Sequence, residues 1–163
     1  LIDADHGVRL YSCFYVVRSR CSSPNYHTDW PDAVGNNAFT LLTPLEDYAT
    51  DDFQLLYKDS EHNLQQYRYR AGEAICFSSH FVHSTEPGRS LSREVDGTVR
   101  PHVFLCFTFG SDKEEHWPVI APTINGYQSR FLHRFDGRSE LTEIGRYLRD
   151  VAPAYFDLPK ALQ

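Results

Sequence analysis

The chain has no methionine and only two tryptophans, and its 16 Lys and Arg are outnumbered by 22 Asp and Glu over 163 residues. Because it starts at Leu1 and lacks methionine, we expect a processed product or the ordered part of a longer protein. The deficit of cations leaves a net charge of -6. Nucleic acid is therefore not an expected partner, since phosphate binding needs clustered Lys and Arg. No apolar run approaches the roughly 20 residues that span a bilayer. The opening LIDADHGVRL also lacks the basic-then-apolar layout of a signal peptide, so no membrane span is expected. The four cysteines, Cys13, Cys21, Cys76 and Cys106, form no C-x-x-C pair. Three of them lie in apolar runs, which reads as reduced, buried thiols acting as small hydrophobes and fits the cytoplasm or another reducing compartment. There is no G-x-S-x-G elbow, H-E-x-x-H helix or phosphate loop, so nothing supports a hydrolase or a nucleotide site.

What is present is 41% apolar residues, 14% of the chain being aromatic, enough to close one core. A single domain, 1–163, is expected, with core strands over about 8–110 and a C-terminal extension over 111–163. Short apolar or alternating runs separated by Gly, Pro, Asn and Asp predict strands at 8–17, 26–30, 38–45, 53–58, 65–70, 73–78, 81–85 and 102–109. This is a mainly β chain of about eight core strands, in a jelly roll or a barrel. The polar stretch GRSLSREVDGTVR (88–100) predicts a long loop. Further on, SELTEIGRYLRDVA (139–152) carries Leu141, Ile144, Leu148 and Val151 at helical spacing behind a Ser139 N-cap. It predicts a helix packed outside the sheets.

Chemistry enters at YHTDW (26–30). His27-Thr28-Asp29 is the chain's single His-x-acid triplet, and composition alone predicts about one by chance. Its weight therefore comes from its surroundings. On a strand, residues i and i+2 project to one side, so His27 and Asp29 can share an ion while Thr28 points away. A third ligand must come from elsewhere, and His83 in FVHSTEPG is the natural candidate.

In order along the chain, HTDW, FTLLTPLED, FQLLYKD, YRAGEAICFSSHFVHSTEPG and RPHVFLCFTFG resemble the 2-oxoglutarate- and iron(II)-dependent oxygenases of the prolyl-hydroxylase-like and phytanoyl-hydroxylase-like kind. The resemblance runs over about residues 8–110. It implies a double-stranded β-helix with His27, Asp29 and His83 as metal ligands. It further implies Fe(II), O2 and 2-oxoglutarate as cofactor and cosubstrates, with ascorbate as an auxiliary reductant. The activity implied is hydroxylation of an unactivated C–H bond in a peptidyl or small-molecule substrate, releasing succinate and CO2. Two imidazoles and one carboxylate on one face of the ion leave three adjacent positions open.

The far carboxylate of 2-oxoglutarate needs a cation inside an otherwise apolar barrel. Arginine suits it, because its planar fork meets a carboxylate bidentately. Arg89, Arg93 and Arg100 all follow His83. Arg100, at the mouth of the last core strand, is the first choice and Arg93 the second. Tyr15 and Thr40 lie on strands that in the family often offer a hydroxyl to the cosubstrate. His80, three residues before His83, would face the opposite side of an extended strand and is placed in the preceding turn. His62, His116 and His133 read as exposed side chains, and His102 as a hydrogen-bond donor in the sheet. Two other readings stay open: a catalytically inactive jelly-roll binding module, and a cupin-like metalloenzyme that does not use 2-oxoglutarate.

Overall fold

The computed structural model describes residues 2–48, 53–90, 97, 98, 100–127 and 131–151. The chain divides into two compact units, Leu1–His116 and Trp117–Gln163.

The first unit is built from strands. They are β1 (Val8–Arg18), β2 (Arg20–Cys21), β3 (Ala38–Pro44), β4 (Leu55–Lys58), β5 (Leu64–Tyr67), β6 (Ile75–Phe77), β7 (His83–Thr85), β8 (Gly88–Arg89) and β9 (His102–Ser111). Four pair in the order β1-β9-β3-β6, three in the order β5-β4-β7, and β2 with β8 forms a short ribbon. Every pairing is antiparallel. One core joins the two larger sheets: Leu42 and Phe104 with Cys106 from the first, Leu55 from the second, and Tyr48 and Tyr69 beside them. Apart from the β4–β5 hairpin, the paired strands of this unit are distant in sequence, as in a jelly roll.

Alternation decides which side chains reach that core. Along β3 the even-numbered residues Ala38, Thr40, Leu42 and Pro44 are buried, and along β9 so are His102, Phe104, Cys106 and Thr108. β1 pairs with β9 so that Ser12, Phe14, Val16 and Arg18 stand opposite Thr108, Cys106, Phe104 and His102. These four β1 residues are its inward face, and Cys13, Tyr15 and Val17 are exposed on the other. A bulge between Leu10 and Ser12 sets this phase.

The differences from the sequence reading have local causes. Residues 26–30 form no strand; only His27 makes a bridge, to His83. Pro24 and Pro31 bracket the segment and remove amide donors that a ladder would use. β5 stops at Tyr67, whereas 65–70 was expected. The 88–100 stretch opens with β8 instead of loop, and 91–96 and 99 lie outside the described residues. All four cysteines are free, but only Cys106 is buried. Cys13 and Cys76 fall on outward-facing positions of β1 and β6, so their apolar neighbours in sequence are not their neighbours in space.

The second unit comprises α1 (Trp117–Tyr127), β10 (Phe131–His133), β11 (Ser139–Leu141) and α2 (Glu143–Val151). Two prolines hid α1 in the sequence. Pro118 occupies the first turn, where its missing N–H has no intrahelical partner to lose. Pro122 sits inside, while Ile120 and Ile124, one turn apart, are buried. The helix predicted over 139–152 begins later, because Ser139–Leu141 pairs with β10. Its cap is Thr142 and not Ser139: the Gly145 N–H donates to Thr142 Oγ1 at 3.0 Å. Among the described residues, no helix is long and apolar enough to cross a membrane.

Candidate metal centre

His27 and His83 come together through backbone pairing. The His27 N–H donates to the His83 carbonyl at 3.0 Å, and the His83 N–H returns a bond of 2.9 Å to the His27 carbonyl. The Asn25 N–H adds a third tie to this strand, donating to Ser84 Oγ at 2.7 Å. The imidazole centroids then lie 4.6 Å apart. Asp29, two residues along, turns Oδ1 to within 3.5 Å of His27 Nε2 and 3.6 Å of His83 Nε2. A divalent ion with bonds of about 2.1 Å holds adjacent octahedral donors roughly 3 Å apart, close to these separations.

The imidazoles present the correct nitrogen. His27 Nδ1 donates to the Asn25 carbonyl at 2.7 Å and His83 Nδ1 to the Phe81 carbonyl at 3.0 Å. A carbonyl only accepts, so each Nδ1 carries a proton, which leaves Nε2 as the nitrogen of each ring that faces Asp29. Burial lowers the His83 pKa, and the nearby His27 and Arg18 lower it further, against the Phe81 carbonyl and Asp29, which raise it. His83 is therefore neutral near pH 7 and ready to coordinate. Phe77 and Phe81 pack on its ring at centroid distances of 4.7 and 5.5 Å. Trp30, directly after Asp29, is fully buried and donates from Nε1 to Thr40 Oγ1 at 3.1 Å. That bond anchors the chain just past Asp29. The chemistry of this donor set fits a first-row divalent metal such as iron(II).

The other residues singled out in the sequence fare differently. His80 is exposed and faces Asp32 across 3.6 Å, away from the triad, as a turn residue should. Thr40 is buried, with its hydroxyl engaged by Trp30. Tyr15 is 65% exposed on the outward face of β1 and does not meet the triad. Arg100 pairs with Glu46 at the surface, both side chains nearly half exposed. The cause is local: the Leu45 N–H bonds to the Val103 carbonyl at 3.0 Å, bringing residues 45 and 46 alongside the start of β9. Arg93 lies outside the described residues. His102 is buried, its ring stacked on Tyr48 at 4.0 Å with Phe53 edge-on. His116, read as exposed, is mostly covered; its Nδ1 lies 2.8 Å from Ser111 Oγ and its Nε2 3.6 Å from Asp3. His62 is exposed, and the His133 side chain lies outside the described residues.

Arg18, at the inward end of β1, went unnoticed in the sequence; Tyr69, just past β5, is one of the two tyrosines of QQYRYR, which the sequence left open as either a groove border or a plain two-faced strand. The signal for Arg18 was available in the alternation Ser12, Phe14, Val16, Arg18, but its phase depends on the bulge at Tyr11. A second cluster, Asp3, Glu115 and His116, also has ligand-like spacing. Lys113 occupies it, with Nζ 2.6 Å from Asp3 Oδ1 and 4.0 Å from Glu115. Its own cation accounts for those acids.

No protein-family model and no curated protein matches the chain. Solved structures do. The non-heme monooxygenase ThoJ in complex with nickel aligns with a TM-score of 0.50 at 13% identity, over 65% of this chain and 45% of that one. HygX from Streptomyces hygroscopicus, without ligand, aligns with a TM-score of 0.51 at 12% identity, over 66% of this chain and 60% of that one. HygX with nickel and 2-oxoglutarate bound gives a TM-score of 0.49 at 12% identity over the same shares of the two chains. The chain thus spans about half to three fifths of the length of these proteins. At such identities the likeness concerns the fold: this β-rich chain shares the fold of the ThoJ and HygX structures.

Proposed function

We propose that this chain carries the catalytic core of an iron(II)- and 2-oxoglutarate-dependent oxygenase that hydroxylates an unactivated C–H bond of a peptidyl or small-molecule substrate. The observation that carries this reading is the convergence of His27, Asp29 and His83, with both Nδ1–H groups committed to backbone carbonyls. When bound, iron(II) and 2-oxoglutarate supply the oxidising chemistry, coupling decarboxylation of the cosubstrate by O2 to oxygen insertion in the substrate, with succinate and CO2 released.

The protein's part is placement. His27, Asp29 and His83 would hold a divalent ion through two imidazoles and one carboxylate, which would offset a single charge and leave room for small ligands. The reciprocal backbone bonds between His27 and His83 fix the spacing of the two rings. The Trp30–Thr40 bond holds the segment that carries Asp29. Phe77 and Phe81 shield the buried side of His83, excluding water from that ligand and keeping it uncharged.

The test is metal and cosubstrate binding, followed by turnover. The purified chain should take up one iron(II) anaerobically, bind 2-oxoglutarate, and release succinate in air in the presence of an accepted substrate. His27→Ala and Asp29→Ala should lose metal and cosubstrate together. A folded chain that binds metal but never 2-oxoglutarate would favour a cupin-like enzyme. One whose ligand binding ignores both substitutions would be a jelly-roll binding module.

A further inference from the structure

We infer that Arg18 and Tyr69 together form the anion subsite for the far carboxylate of the cosubstrate, so that its cation comes from the first strand and not from the last core strand. This rests on the oxygenase reading above and departs from what the resemblance implies, which is a basic residue at the start of β9.

Three observations meet here. Arg18 ends β1 on its inward face, opposite the buried His102 and one inward step beyond the Val16–Phe104 pair. Its half-buried guanidinium makes no ion pair or hydrogen bond with any described residue. Tyr69 is 1% exposed, and its hydroxyl also has no partner among the described residues. Tyr69 packs on Phe104 with ring centroids 4.6 Å apart, which sets it beside the inward face that Arg18 extends. The Arg18 cation acts electrostatically on Tyr69, on Cys106 and on His83.

Each orphan is costly alone. A buried hydroxyl without a partner forfeits its hydration, and a cation drawn in from solvent calls for an anion. One ligand group answers both: a carboxylate accepts two N–H bonds from the guanidinium fork and one O–H bond from the tyrosine. A linear 2-oxo dicarboxylate supplies a chelating end for the metal and an anionic end for this subsite. Arg100, the alternative, already has Glu46.

The experiment measures binding of 2-oxoglutarate and of 2-oxobutyrate, which lacks the far carboxylate, to the manganese-loaded chain by calorimetry. The unsubstituted chain should prefer 2-oxoglutarate. Arg18→Met should weaken 2-oxoglutarate roughly 30-fold or more while leaving 2-oxobutyrate and manganese binding unchanged, and Tyr69→Phe should weaken it roughly 5-fold. Arg100→Met and Arg93→Met should have no effect. Full discrimination retained by Arg18→Met, or lost in either of the other two arginine variants, overturns the inference and leaves the oxygenase reading standing. A manganese-loaded parent chain that does not bind 2-oxoglutarate at all defeats both. A footprint on the unsubstituted chain needs no variant to fold. 2-Oxoglutarate, but not 2-oxobutyrate, should protect Arg18 from phenylglyoxal, read by peptide mass, and protection of a different arginine instead overturns the assignment.

Discussion

His27 and His83 lie directly opposite each other and exchange both backbone hydrogen bonds, at 3.0 and 2.9 Å, which turns their imidazoles to the same side. The placement of both imidazoles therefore depends on strand register. A slip of one residue would send one ring to the opposite face, because side chains alternate with period two. Asp29 follows from the same local geometry, two residues beyond His27.

Asp29→Ala should remove the only anionic donor of the triad and lower manganese affinity by about 100-fold or more. Calorimetry checks this, with circular dichroism confirming that the strands remain. Asp29→Glu should recover part of the loss. Undiminished metal binding in Asp29→Ala would remove the triad from consideration.

Acid should weaken the metal-free fold through His83. Burial chiefly holds its pKa below the ordinary value of 6.5. In the unfolded chain the imidazole takes up a proton near that value, so between the two pKa values the unfolded state binds more protons. The stability is fully present above about pH 6.5 and is lost as pH falls through the folded-state pKa. Urea midpoints should drop between about pH 7.5 and 5.5, and His83→Asn should flatten that dependence. The carboxylates with lowered pKa values, such as Asp59 and Asp112, act in the same direction but only in more acidic solution.

Thr40→Val should cost about 1–3 kcal/mol, since it leaves the fully buried Trp30 N–H without its acceptor at nearly unchanged volume. Denaturation measures the loss. Cosubstrate affinity should stay within about twofold, because the hydroxyl is engaged by Trp30. Weakened 2-oxoglutarate binding at unchanged stability would instead return Thr40 to the cosubstrate.

Gly110→Ala should destabilise the β1–β9–β3 sheet. A Cβ there would stand inside contact distance of the Asn37 carbonyl oxygen and 2.7 Å from Ala38 Cα. These are backbone atoms and cannot swing aside, so overpacking of about 1–3 kcal/mol or more is expected. The Tm of the variant is the readout, and an unchanged Tm would mean that the Asn37–Ala38 backbone yields there.

The strands most legible in the sequence, β3 and β9, are continuous, largely apolar runs. Which of their faces turns inward was not legible, because both faces carry apolar side chains. His27, Asp29 and His83 were legible as donor types at usable spacing, and the exclusion of His80 followed from the same period-two rule. α1 was not legible, because its two prolines erase the propensity signal while burial of Ile120 and Ile124 sustains the helix. Cys13, Tyr15 and Arg18 illustrate a different limit. They share one strand, and a single bulge at Tyr11 decides which of them face out and which faces in.

By itself the amino-acid order determined the local chemistry: alternating strands, turns at their Gly and Pro, and an imidazole and a carboxylate placed two apart on one side of an extended chain. Only the tertiary structure decided that His83 would pair with His27, that Arg100 would be drawn to Glu46, and that Arg18 would end on the inner face. The reason is physical. A side chain's direction along a strand follows from local geometry, but which strands become neighbours, and in what register, is set by burying both sheets against each other across residues far apart in the chain.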